Sequence, residues 1–262
     1  MFHICVGHRP PLVQTFGNFL FVGPHSFGIV GELTIPDDCL GDVFDGAVLS
    51  EYTQLFWIAR AVLRRELMPT TGFLHFFQYR KFLSSKNGER SSKSVPYSSI
   101  CSPSESAKYF PTQIFLENLL DRRAIMISKP LKLKSTLAEN YATHHVTEDF
   151  SGFIAALAIQ PDFPPERVNR FINCPFLIAS PSLAFMDTRM FVDTMQILER
   201  VWEAFFKNFY KPRNGYQRRV GGFLIERLHS FLLVEAIVCG KISVYFGQYF
   251  TVVEQGDVVP TI

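Results

Sequence analysis

The chain has 262 residues, 47% of them hydrophobic and 19% charged, and a formal net charge of +2. That length accommodates one large or two small domains around a core of ordinary depth, and the composition is that of a folded protein, not a disordered one. A charge so near zero, with no long basic run, argues against a nucleic-acid surface.

Residues 2–7 (FHICVG) predict a first buried strand, broken by His8-Arg9-Pro10-Pro11. FLFVG (19–23) and FGIVGELTI (27–35) predict further strands, and 36–46 a polar loop of turn residues. Residues 47–67 predict one helix, with Leu55, Ile58 and Val62 in a stripe and Glu51 one turn earlier, at the rim of the core or inside a site. GFLHFFQYRKFL (72–83) begins as a buried strand and then presents Gln78, Tyr79, Arg80 and Lys81. Residues 84–108, rich in Ser, Lys, Asn and Pro, predict a long mobile loop within a single domain spanning 1–262. A strand is predicted at AIMIS (124–128), helices around 148–159 and 165–172, and one or two strands within 174–186. Two long helices (188–209 and 216–239) and a strand (244–253) close the chain, without internal repeats, so the class is α/β.

The 27 phenylalanines predict an aromatic core. Five scattered cysteines (Cys5, Cys39, Cys101, Cys174, Cys239) form no C-x-x-C pair, which disfavours a zinc site or disulfide framework and fits a reducing compartment. The N-terminus, MFHICVGHRPP, lacks the features of a signal peptide, and the apolar stretch 223–239 is interrupted by Glu226, Arg227, His229 and Glu235. A cytoplasmic protein is expected, with peripheral association at the inner face of a membrane as an alternative.

Three stretches carry candidate chemistry. In RRVGGFLIERLHSFLL (218–233), Arg218, Gly222 and Glu226 fall four apart and share one predicted helix face. Two glycines inside a helix cost about 1 kcal/mol each relative to alanine, so a ligand, a strand or a tight helix crossing with an Arg218–Glu226 ion pair must compensate. Arg80 and Lys81 form either a solvated strand end or a pair of phosphate-binding cations, with Tyr79 beside them to stack or donate. ENYATHHVTED (139–149) brings His144 and His145 near Glu148 and Asp149, but adjacent histidines point apart, so acid–base or hydroxyl-binding work by one histidine is preferred to metal ligation, and a surface turn to either. No phosphate-loop, dinucleotide or G-x-S-x-G motif occurs, nor an Asp-x-Asp at a strand end.

In order, these segments resemble a family from bacterial capsule and O-antigen gene clusters, long catalogued as a domain of unknown function, that includes galactofuranosyltransferase-type enzymes. The resemblance rests on VGH at His8, EYTQLFWIAR from Glu51, and QYRKF (78–82) where the family reads His-Tyr-Arg-Arg-Tyr-Phe. It continues in ENYATHH with Tyr141 and His145, in SLAFM (182–186) for Asn-Met-Phe-Ile-Met, and in RVGGFLIERL (219–228) for Arg-x-x-Gly-Phe-Leu-x-Glu-Arg-Leu. Two positions depart: the family's histidine is Gln78 and its asparagine Ser182.

The resemblance implies a GT-A-like, Rossmann-type nucleotide-sugar-binding fold with a mixed central sheet. It implies a hexosyltransferase, galactofuranosyl in type, that carries a sugar from a nucleotide donor, UDP-linked, to a glycan or lipid-linked glycan acceptor. Because Arg80 and Lys81 stand where metal-dependent relatives of the fold carry Asp-x-Asp, no metal and no further cofactor are expected. The donor-binding set is then His8, Glu51, Tyr79, Arg80, Lys81, Arg218, Arg219 and Arg227. Glu226 and His145 are the catalytic candidates, and Gln78, Tyr141 and Ser182 belong to the acceptor or sugar pocket. Two alternatives stand: a non-catalytic partner on a decayed transferase fold, and a metal-dependent hydrolase using His144, His145, Glu148 and Asp149.

Overall fold

The computed structural model describes residues 2–13, 15, 19–29, 31–36, 41–69, 72–88 and 98–254. Four strands run parallel at one side of a mixed sheet: β1 (Phe2–Val6), β2 (Leu20–Gly23), β3 (Glu32–Thr34) and β4 (Phe73–Gln78). Every residue of β4 is buried, as its nearly unbroken apolar run requires of a strand covered on both faces. The strand expected over 27–35 is confined to its last part, and Glu32 accepts the Phe27 and Ile29 backbone N–H groups, which therefore pair with a side chain and not with a strand.

After β4 the chain reverses through Tyr79-Arg80 into β5 (Lys81–Ser84), and only Gln78 and Lys81 pair across the turn. Neither turn residue has a positive φ. A two-residue turn without that geometry splays its strands, and each strand finds a different neighbour. β10 (Ala184–Asp187) lies antiparallel along the earlier part of β4, while β11 (Ser243–Val252) lies antiparallel to β5. β7 (Ala124–Ser128) joins β10 to β11, and β6 (Ser99–Cys101) adds to the end of β11. A small separate ladder pairs β8 (Leu131–Lys132) with β9 (Phe176–Leu177).

The expected single helix over 47–67 is two: α1 (Gly46–Leu49) and α2 (Tyr52–Leu63), parted at Ser50, which adopts φ 57°. The stretch expected as a mobile loop is in part regular structure. Ser99–Cys101 is β6, and α3 (Pro103–Tyr109) starts from a capping box of Ser102 and Glu105 that outweighs the Ser/Pro-rich composition. Residues 89–97 of that expectation lie outside the described part.

α4 (Gln113–Asp121), α5 (Leu137–His144), α6 (Thr147–Ala158) and α7 (Pro165–Ile172) precede the two long helices α8 (Thr188–Asn208) and α9 (Val220–Val238). α9 is buried on nearly every side, which explains a sequence apolar all round. Among the described residues no helix is long and apolar enough to cross a membrane.

The α9 glycines serve close packing. A Cβ on Gly221 would lie 2.8 Å from the Trp202 ring and 3.1 Å from Leu49, and one on Gly222 would lie 2.9 Å from Ser50 Oγ. Gly221→Val is therefore expected to destabilise the fold by about 2 kcal/mol, read as a lower urea midpoint at unchanged slope. An unchanged midpoint would mean that Trp202 yields freely.

Candidate functional site

The ends of β1 and β4, the α1–α2 break and the first turns of α9 surround one cleft of about 1480 Å³. Carboxyl ends of parallel strands are where an α/β sheet opens for a ligand. Gly7 allows the Tyr79-Arg80 turn to sit against the end of β1, since a Cβ there would lie 3.1 Å from Tyr79 Cβ. His8 then packs edge-on against the Tyr79 ring at 5.2 Å.

The turn is pinned from both sides. The Tyr79 carbonyl accepts from the Leu12 N–H at 2.6 Å, and the Arg80 carbonyl from the Val252 N–H at 2.7 Å. The backbone at Arg80 is thus held and its guanidinium lies 5.4 Å over the Tyr79 ring, yet its buried Nε has no hydrogen-bond partner among the described residues. Lys81 hydrogen-bonds Tyr249, and that hydroxyl first, then the Glu51 and Glu226 carboxylates, hold its ammonium above the ordinary lysine range against the cost of burial. Burial first, then the cations Arg9, Arg219 and Arg80, pushes the His8 imidazole down. The cations at positions 80 and 81 are therefore a braced turn over the cleft, not a solvated strand end.

Two carboxylates face them. Glu51 Oε1 accepts from Gln78 Nε2 at 2.8 Å and from Ser182 Oγ at 3.2 Å, and Gln78 Nε2 also reaches Ser182 Oγ at 3.3 Å. The two positions that depart from the family pattern thus meet on one oxygen of Glu51. Glu226 is half-buried and accepts the Ser180 backbone N–H at 3.1 Å. Burial first, and the Glu51 charge second, raises its carboxyl above the ordinary range, against Arg227, Lys81 and that N–H. Ser180, at φ 47°, and Ser50, at φ 57°, both occupy the left-handed region. Both serines line the cleft, so two of the strained backbone positions fall at the site. Ser50 Oγ accepts from Arg219 Nε at 2.9 Å, and the Arg219 guanidinium lies 5.5 Å over the Phe223 ring.

Arg227 is only 6% exposed and backs the cleft wall. It donates to the Phe223 carbonyl at 2.9 Å and to Asn140 Oδ1 at 3.1 Å, and lies 4.9 Å over the Tyr141 ring. Tyr141 is fully buried behind it and does not line the cleft, because its place on α5 faces the Phe150 side of the core. His145, just past α5, stacks on Phe223 at 4.1 Å, and burial lowers its pKa to about 4.

Arg218 departs from expectation. It belongs to the 3-10 turn Gly215–Arg219, not to α9, so it does not share a helix face with Gly222 and Glu226. Its partner is Asp45 at 3.4 Å. Ser182 lies behind Glu51 rather than on the cleft wall.

The acids expected beside His144 serve elsewhere. Asp149 holds Arg213 at 2.9 Å, and Glu148 holds Lys211 at 2.6 Å and Arg213 at 3.2 Å. Among the described residues no group of three or more His, Cys, Asp or Glu could hold a metal ion.

Several cleft residues were not singled out in sequence. Ser180 acts through its backbone, Asn140 sits within the 139–149 stretch whose histidines and acids drew attention, Tyr249 comes from a segment expected only as a strand, and Tyr216 stands on a 3-10 turn. Phe223 lay inside a quoted motif, and its spacing of three from Glu226 was the available clue.

Beneath the site, His229 is 1% exposed, with Nδ1 3.2 Å from Tyr52 Oη, and burial lowers its pKa from 6.5 to about 3. The folded chain keeps this imidazole neutral while the unfolded chain protonates it. Its contribution is therefore present above pH 6.5 and lost as the pH falls from there toward about 3. His229→Gln is expected to flatten that part of the stability profile in urea titrations. A profile parallel to wild type throughout would count against a neutral buried His229.

A search of the solved structures finds the apo structure of WbbM, a bifunctional glycosyltransferase, at TM-score 0.72 and 17% identity. The match covers all of this chain and 47% of that one, so the chain spans about half the length of this neighbour. At that identity the likeness is one of fold: a mixed α/β architecture shared with a glycosyltransferase structure. No curated protein matches the chain. The profile of a Domain of unknown function (DUF4422) matches residues 45–235, well over half the chain and containing Glu51, Arg80, Lys81, His145 and Glu226, so the protein belongs to the DUF4422 family.

Proposed function

We propose that this protein is a glycosyltransferase that moves a sugar from a nucleoside-diphosphate donor to a growing surface glycan, of capsule or O-antigen type, on a GT-A-like fold. The observation that carries the reading is the braced Tyr79-Arg80 turn. It places Arg80 and Lys81 in one cleft with Arg219, Glu51 and Glu226, and both carboxylates act on the Lys81 ammonium. A WbbM-like fold, of which this chain spans about half, supports one transferase unit.

As the acceptor hydroxyl attacks the anomeric carbon, the bond from that carbon to the diphosphate breaks and negative charge grows on phosphate oxygens. The turn backbone at Arg80 and the Lys81 ammonium, bonded to Tyr249, are in place before substrate arrives, so the two cations neutralise that charge with little reorganisation, and no metal is needed for this step. Glu226, more basic than an ordinary carboxylate, takes the hydroxyl proton. Glu51, held by Gln78 and Ser182, anchors donor hydroxyls. The donor is UDP-linked and the sugar a hexose, galactofuranose foremost.

The test is thermal stability with UDP, GDP, CDP and TDP, each with and without EDTA. A ligand that binds only the folded state raises the melting temperature by mass action. One diphosphate should raise it equally in both conditions. A shift that vanishes with EDTA would end the metal-free mechanism, and no shift with any diphosphate would favour a non-catalytic partner built on the same fold.

A further inference from the structure

The phosphate-facing half of the cleft adjoins a second wall that the transfer chemistry leaves unused. Tyr216, from the 3-10 turn before α9, is 53% exposed and lines the cleft. Its ring is nearly parallel to that of His145, at 16° and 6.0 Å between centroids, and leans on Phe223 at 4.9 Å. Phe223 is only 7% exposed and stacks on His145 at 4.1 Å, so it backs the wall while Tyr216 and His145 form its open surface.

The hydrogen bonds of Gln217 set the polarity of His145. Gln217 Nε2 donates to the His144 carbonyl at 3.1 Å, so Oε1 is the amide atom that faces His145 Nδ1, at 3.3 Å. An oxygen there requires Nδ1 to carry the ring proton, which leaves Nε2 as a lone-pair acceptor. His145 Nε2 has no hydrogen-bond partner among the described residues. A half-buried neutral acceptor beside an exposed aromatic face suits a neutral ring with a C–H face and hydroxyl donors.

We infer that Tyr216 and His145 form the acceptor subsite, where one neutral sugar ring of the saccharide lays its C–H face on Tyr216 and donates a hydroxyl to His145 Nε2. This rests on the transferase reading. A nucleobase is the other planar candidate, but the carboxyl ends of the parallel strands, at His8 and Pro24, provide its place. The aromatic wall lies instead beside Arg227, the residue next to Glu226, whose charge reaches His145. A ring stacked on Tyr216 therefore lies in the same cleft as Glu226, the carboxylate that takes the acceptor proton.

The test is saturation-transfer NMR on the full chain with methyl β-galactopyranoside, methyl β-glucopyranoside, methyl α-mannopyranoside and methyl β-galactofuranoside, alongside melting temperatures with nucleoside diphosphates. At least one glycoside should bind, with transfer concentrated on protons of one ring face. Tyr216→Ala should weaken that binding roughly five- to tenfold, as loss of one stacking contact implies, while Tyr216→Phe retains it. His145→Ala should also weaken it, and His145→Gln serves if the alanine variant does not fold. The diphosphate shift in melting temperature should survive Tyr216→Ala. No glycoside binding by the wild type, equal binding by Tyr216→Ala, or loss of the diphosphate shift in that variant would overturn the subsite. Tyr216-dependent glycoside binding without any diphosphate shift would instead leave the subsite standing and defeat the donor reading.

Discussion

Arg80→Ala is expected to remove the rise in melting temperature that a bound nucleoside diphosphate gives the wild type, and to slow sugar transfer about 10²- to 10³-fold. The size follows from how the guanidinium is held. The backbone of its turn is fixed by bonds from Leu12 and from Val252, and the guanidinium rests 5.4 Å over the Tyr79 ring before any ligand arrives. Its buried Nε has no partner among the described residues, so the free protein gains no hydrogen bond from it and a ligand can supply one. Without ligand the variant should accordingly melt at or slightly above the wild-type temperature. Arg80→Lys should fall between the two, since it keeps the charge and loses the fork that grips two phosphate oxygens. Arg218→Ala is the control: an exposed residue paired with Asp45 should change stability by about 0.5 kcal/mol or less and leave the diphosphate shift intact. A full shift in Arg80→Ala would refute the phosphate-clamp role.

Glu226→Gln should lower the transfer rate about 10²- to 10⁴-fold, the usual worth of a positioned general base, without destabilising the fold. Glutamine keeps an oxygen for the Ser180 N–H and removes a charge that burial and Glu51 both disfavour. The sign of the pH effect is fixed by the raised pKa. Between the ordinary carboxylate value and the raised one, the folded protein binds more protons than the unfolded chain, so wild-type stability falls as pH rises through that window. Glu226→Gln should lose this fall and be at least as stable as wild type near neutrality. A less active but more stable variant is the signature of a site built against stability. Activity close to wild type would move the base to Glu51.

Much of the frame was legible in the chain itself. The strands at 2–6 and 73–78 announced themselves because a strand covered on both faces is largely apolar, as Ile4–Val6 and Phe73–Phe77 are. α8 and α9 were found within a few residues, since long elements average out local exceptions. Shorter elements were lost. A three-residue strand such as β6 has no period to detect, and α3 is declared by its cap within a stretch of loop-like composition.

The site was legible as a set of residue types and far less as a geometry. The cations after Phe77, the carboxylates at 51 and 226 and the glycines at 221 and 222 could be read off as an unusual grouping, because each violates the rule its surroundings set. Which of them meet is a long-range matter. Gln78 and Ser182 converge on Glu51 across 104 positions of chain because β10 lies antiparallel beside β4. Arg218 turns to Asp45 because the helix starts at Val220, two residues later than a four-residue spacing assumes. Tyr216 and His145 approach each other only once α5 and the turn before α9 are packed. Sequence alone thus determined which segments must be buried, since burial follows from the local pattern of apolar side chains. The tertiary structure decided which polar groups share the cleft, since that depends on pairings between strands and helices far apart in the chain.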